Sequence, residues 1–92
     1  MRPTLAQHAR RSDAVVFQEI GGEAVLLDLA SEKYFALNPV GTRIWELIAE
    51  GGPLQRTFDA LLAEYDVAPE HLEADLLALV DELEKAGLVK VG

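Results

Sequence analysis

Ninety-two residues, about half apolar, about a quarter charged and free of cysteine, describe one small globular domain with a thin core and no deep substrate cavity. Without cysteine there are no disulfides, thiolate metal sites, iron–sulfur clusters or cysteine nucleophiles, and the longest apolar run, Leu76 to Val80, is far too short to span a membrane. The net charge of −8 is lopsided, because residues 46–92 hold eleven acids against Arg56, Lys85 and Lys90, and no Lys or Arg occurs from Thr57 to Glu84; that half of the chain argues against nucleic acid and anionic membrane as partners.

Met1 to Ser12 are polar, partly basic and without clear period, which predicts a flexible N-terminal arm over residues 1–12 ahead of a single domain over residues 13–92. The opening Met1–Arg2–Pro3–Thr4 has no apolar stretch behind it and does not read as a signal peptide, so a cytoplasmic location is expected. Ala14–Val15–Val16–Phe17 is rich in β-branched and aromatic residues and predicts a strand. Gly21–Gly22 supplies a tight turn into a second apolar run, Ala24 to Leu29. Ala30 to Lys33 is turn-like, and Tyr34–Phe35–Ala36–Leu37 predicts a third antiparallel strand.

Asn38–Pro39 then switches the chain to helix, since Asn can cap free N–H groups and Pro at the first helical position loses nothing by lacking its own. Val40, Ile44, Leu47 and Ile48 recur at helical spacing with Trp45, a predicted core anchor, beside them, and Gly51–Gly52–Pro53 ends the helix. Phe58, Leu61, Leu62 and Tyr65 mark a second helix, which Asp66 to Ala68 interrupt. Pro69 opens a third, with Glu70 and Glu73 near its positive end. On that helix Leu72, Leu76, Leu79 and Leu83 form a stripe about 60° wide, with Val80 on its shoulder and Leu77 well outside. Gly87 fits the position just past a helix end, and Leu88–Val89–Lys90–Val91 can return as a short strand. The predicted fold is α+β and winged-helix-like: a three-stranded antiparallel sheet followed by three helices and a short C-terminal strand.

Chemistry-bearing constellations are sparse. His71 and Asp75 share a helix face, but two ligands are too few for a metal site. Ser12 and Ser31 lack the strand–turn–helix elbow of a serine nucleophile, and neither Gly-Gly pair has the spacing of a phosphate loop. No catalytic residue, metal or cofactor is expected. A winged-helix order raises DNA binding, yet the strongest helix reads Leu72–Glu73–Ala74–Asp75 and ends Asp81–Glu82–Leu83–Glu84, which phosphate would repel. What remains is a binding module: edge strands can pair with an extended peptide, and the third helix can wall a groove beside them. The alternative is a small winged-helix regulator or adaptor acting through protein contacts.

The segment Leu27–Asp28–Leu29–Ala30–Ser31–Glu32–Lys33–Tyr34–Phe35–Ala36–Leu37–Asn38–Pro39–Val40–Gly41 resembles the central signature of the PqqD-like family. Ile44–Trp45–Glu46–Leu47–Ile48 resembles the family's next helix, and the run from Asp75 to Gly87–Leu88–Val89 its closing helix and Gly-Leu ending. The resemblance covers about residues 14–91 and implies a recognition element for ribosomally made, modified peptides. Such an element holds the leader segment of a precursor peptide and presents the precursor to a modifying enzyme such as a leader peptidase, a cyclase or a radical enzyme. Carried over by position, the leader would add as a strand to Lys33, Tyr34, Phe35, Ala36 and Leu37. The helical wall would come from Asp75, Leu76, Leu77, Leu79, Val80 and Leu83. Tyr34, Asp75, Leu77 and Val80 are the expected groove contacts, and Leu76, Leu79 and Leu83 the expected core. The N-terminal region does not match the opening of the pyrroloquinoline-quinone member, which favours a stand-alone element of the lasso-peptide type.

Overall fold

A computed structural model describes residues 3–21 and 23–92. Two sheets and three helices follow one another in the order β1 (Ala9–Arg11), β2 (Val15–Ile20), β3 (Glu23–Asp28), β4 (Lys33–Leu37), α1 (Pro39–Ala49), α2 (Leu54–Glu64), α3 (Pro69–Lys85) and β5 (Val89–Val91). The larger sheet is antiparallel in the order β2-β3-β4, so β2 and β4 each keep one edge without a neighbouring strand among the described residues. The elements read from periodicity are all present. Of the Gly-Gly hairpin, Gly21 takes the left-handed conformation expected of it, with φ 62°, while Gly22 lies outside the described residues.

Within the N-terminal segment expected as an arm, Ala9–Arg11 form a paired strand: Ala9, Arg10 and Arg11 lie opposite Val91, Lys90 and Val89. Hydrogen bonds between His8 and Gly92 and from Ser12 N–H to the Leu88 carbonyl extend the pairing. Further back, the Leu5 and Gln7 carbonyls accept from the Gln55 and Leu54 N–H groups, which opens α2 where no side chain caps it. The arm is fixed by backbone partners far away in sequence, which its own side-chain pattern cannot disclose. Met1 and Arg2 lie outside the described residues.

The hinge between sheet and helices is tightly specified. Asp28, 9% exposed, accepts from the Ala30 N–H and the Ser31 hydroxyl, while its carbonyl accepts from the Glu32 N–H. This knot folds the β3–β4 loop and fixes where β4 begins. At the other end of β4, Asn38 Oδ1 accepts from the Gly41 N–H at 2.7 Å, with Pro39 in the first turn. A Cβ on Gly41 would stand 3.2 Å from that oxygen and 3.3 Å from a Leu37 methyl. Glycine lets α1 start this close to the strand without displacing either side chain.

The core forms in two lobes joined through α1 and α3. Ile44, Leu47, Ile48, Leu54, Phe58, Leu61, Leu72, Leu76 and Val80 knit the three helices. Ala24, Leu26, Leu37, Trp45, Leu83, Leu88 and Val89 join the sheet to them. Gly87, with φ 78°, ends α3; the Leu88 N–H bonds the Leu83 carbonyl and the Gly87 N–H that of Glu84. That paired arrangement lets Leu83 and Leu88 meet in the core and aims β5 back at β1.

Candidate functional site, a groove under the free edge of β4

Residues directly opposite in an antiparallel pair share a face. Ala24, Leu26 and Asp28 are buried, so their partners Leu37, Phe35 and Lys33 also face the helical layer, while Tyr34 and Ala36 face away. Between the open edge of β4 and the helices lies a groove of about 510 Å3 lined by Phe35, Ala36, Leu37, Asn38, Val40, Gly41, Ile44, Asp75, Leu79 and Glu82. Its floor is apolar, with Val40 and Ile44 one turn apart on α1 and Leu79 on α3. Its far rim is acidic, from Asp75 and Glu82. The expected strand and helix therefore do meet around one cleft.

Phe35, Ala36, Leu37, Asp75 and Leu79 line that groove. Lys33 sits at the start of the strand, and Tyr34, 76% exposed, stands on the opposite face of the sheet. Leu76 and Leu83 have no exposed surface, as a core stripe requires. Of the four expected groove contacts only Asp75 lines the groove, and Leu79, expected as core, is half-buried and lines it instead. Val80 is 0% exposed, inside the helical core, and Leu77 opens onto a separate depression with Phe58, Pro69, Glu70, Glu73 and Ala74.

The reason is the rotation of α3. At 100° per residue Leu72, Leu76, Val80 and Leu83 centre the buried face, while Asp75, Leu79 and Glu82 fall on one shoulder and Leu77 about 160° from Leu79. The groove under β4 opens on the first shoulder and the depression beside Phe58 of α2 on the second, an asymmetry invisible to periodicity alone. Sequence reasoning missed Val40, Ile44 and Glu82. The i, i+4, i+7 spacing of Asp75, Leu79 and Glu82 was the signal that joins Glu82 to the others.

The ionic contacts brace the scaffold beside the groove. Arg43 on α1 donates from Nε and Nη2 to the two Glu64 carboxylate oxygens on α2, both at 2.8 Å. The hydrogen bond from Arg43 holds the Glu64 carboxyl below its ordinary range, and Glu64 in turn raises Arg43. Neither Asp75 nor Glu82 forms an ion pair among the described residues, so the acidic rim is free to meet a cation.

A small antiparallel sheet whose last strand keeps a free edge above an apolar, acid-rimmed groove is a strand-accepting peptide-binding architecture. The chain belongs to the PqqD family: residues 23–89 match the family model for coenzyme PQQ synthesis protein D. Among solved structures it is similar to TbiB1 in complex with the TbiA(beta) leader peptide, with 41% identity, a TM-score of 0.82, and coverage of 88% of this chain and 94% of that one. It is also similar to a lasso peptide synthetase B1 complexed with the leader peptide, with 26% identity, a TM-score of 0.80, and coverage of 90% and 98%. No curated protein sequence matches the chain. Among the described residues no helix is long and apolar enough to cross a membrane, and no three His, Asp or Glu side chains gather as a metal-binding group.

Proposed function

We propose that this chain binds the leader segment of a ribosomally made precursor peptide and presents the precursor to its modifying enzyme. The observation that carries the reading is the free edge of β4 above the groove floored by Val40, Ile44 and Leu79, in a chain similar over most of its length to two leader-peptide complexes. The leader lies antiparallel along Lys33, Tyr34, Phe35, Ala36 and Leu37. Main-chain hydrogen bonds supply affinity, and alternate leader side chains enter the groove between β4 and α3 to set register. An apolar anchor meets Leu79 and Ile44, and a Lys or Arg of the leader meets Asp75 and Glu82. Such exposed pairs are each worth about 0.2–1 kcal/mol, so the charges tune association while strand pairing and apolar anchors hold the complex.

The chain contributes position and no bond-making chemistry of its own. Holding the leader while the enzyme is near converts a bimolecular encounter into a locally unimolecular one. The likeness to a lasso peptide synthetase B1 favours a stand-alone element of that type over the quinone-cofactor type. A ribosomally made precursor is met in the cytoplasm, where we place the chain.

The test is calorimetric titration with candidate leader peptides against scrambled controls. Neighbouring N–H groups on a strand point to opposite edges, so one of Phe35→Pro and Ala36→Pro removes a bond to the leader without touching the pairing with β3. The variant that stays folded is expected to bind its leader about tenfold more weakly or worse. Unchanged affinity in a folded variant of each kind would place binding elsewhere.

A further inference from the structure

A second concavity lies on the other side of α1, under the free edge of β2. It measures about 600 Å3 and is walled by His8, Arg10, Arg11 and Asp13 on one side and Val15 and Phe17 on the other, with Trp45 and Ile48 in its floor. It shares no lining residue with the groove under β4. Three observations converge on it. First, Phe17 lies opposite the buried Leu26, on the helix-facing side of the sheet, yet is 38% exposed, because α1 packs on β3 and β4 and leaves this ring partly uncovered. Second, Arg10 and Arg11 form neither an ion pair nor a side-chain hydrogen bond among the described residues. Arg11 instead lies over the Trp45 ring, 5.0 Å from its centroid. Third, the Trp45 side chain, 2% exposed, holds a buried indole N–H with no acceptor, a group that ordinarily finds one.

We infer that this basic, aromatic groove at the β2 edge is a second peptide site, which takes an extended acidic segment of the modifying enzyme. The choice of occupant rests on charge and on geometry. Residues 1–45 balance five acids with five bases, whereas residues 46–92 are strongly acidic, so the arginine pair is a local cationic surface on an anionic protein. A segment bearing carboxylates beside an apolar side chain satisfies the guanidinium groups and covers Phe17, while β2 offers unpaired backbone groups for strand addition. The inference deepens the proposed function, since presenting a held precursor requires an enzyme-binding surface that the leader leaves free.

The test uses the whole chain and a synthetic capped peptide, Glu-Asp-Val-Phe-Val-Asp-Glu, with its Gln/Asn isostere as control. Trp45 is the sole tryptophan, so its emission and its indole N–H resonance report directly on the groove. The acidic peptide is expected to shift both, the isostere to bind about tenfold more weakly, and Arg10→Gln/Arg11→Gln to reproduce that loss with leader affinity unchanged. Saturation with leader should leave acidic-peptide binding intact. Equal binding of the two peptides, full affinity in the double variant, or displacement by leader would each overturn the inference. So would a concentration-dependent dimer of the free chain that Arg10→Gln/Arg11→Gln abolishes, because the acidic α3 of a second copy would then be the occupant. Loss of leader binding alone, with these results intact, would count against the β4 reading and not against this one.

Discussion

Ile44 and Trp45, neighbours on α1, floor opposite grooves: Ile44 lies beneath the free edge of β4 and Trp45 beneath the free edge of β2. Adjacent helical residues differ by about 100° in direction, so a single helix separates two clefts of different charge. The groove under β4 is acidic at its rim and the one under β2 is basic. Leader binding is therefore expected to leave Trp45 emission nearly unchanged while shifting the amide signals of Ala36, Asp75, Leu79 and Glu82. A large tryptophan response to leader, with those four signals still, would exchange the roles of the two grooves.

The rotation of α3 separates residues of the core from those that line the groove. Val80→Ala removes two methyl groups from a fully buried site and is expected to cost about 1–3 kcal/mol of stability. Leu79→Ala, half-buried and lining the groove, should cost less folding energy and weaken leader binding more. Leu77→Ala should leave leader affinity unchanged, since Leu77 opens onto another depression. Thermal melts and titrations on the three variants check this ordering.

Gly41→Ala sets helix propensity against packing. In an exposed helix the change would stabilise by about 1 kcal/mol. Here the new methyl meets Asn38 Oδ1 at 3.2 Å and Leu37 at 3.3 Å, and Asn38 is held in place by its own bond to the Gly41 N–H. We expect net destabilisation of about 1 kcal/mol, together with weaker leader binding, because Leu37, Asn38 and Gly41 all line the groove. A higher melting temperature with normal binding would show that the cap yields.

The Arg43–Glu64 pair gives stability a pH dependence of known sign. Glu64 has its carboxyl lowered in the folded state by the hydrogen bond from Arg43, so between its folded and unfolded values the folded protein binds fewer protons. Its contribution is complete above the ordinary carboxylate range and is lost as pH falls through the folded value. Glu64→Gln should therefore melt below wild type at pH 7 and converge on it in strong acid. A gap that stays constant with pH would remove the charge from the explanation.

Salt tests the acidic rim. At about 1 M salt the Debye length falls to roughly 3 Å, which should slow association of a leader carrying Lys or Arg more than it speeds dissociation. Asp75→Asn and Glu82→Gln should each blunt that response. Salt-independent association in wild type and variants alike would reduce the rim to a solvated surface.

Much of the architecture was legible because local chemistry and tertiary structure agree. Asn38–Pro39 begins a helix, Gly87 ends one, and the strand runs fall where β-branched and aromatic residues cluster. The strand half of the site was legible too, since β4 is both the last strand of its sheet and the run that leads into α1. What stayed hidden was set by distant partners. Ala9 to Arg11 become a strand only because β5 and the start of α2 have backbone groups to share. Val80 and Leu79 are both apolar and adjacent, and only the placement of the sheet decides that Val80 is core and Leu79 groove. The β2-edge cleft draws residues from β1, β2 and α1, a gathering no single periodic stretch could reveal.

The central claim is that the leader becomes a fourth strand beside β4, and amide hydrogen exchange resolved by residue tests it most directly. In the free protein, alternate N–H groups of Lys33 to Leu37 point to the open edge and should exchange readily. With leader bound, that alternate set is expected to become protected at i, i+2 spacing, while β2 amides stay as they were. Unchanged exchange along β4 at saturating leader, or protection that appears on β2 instead, would contradict the account.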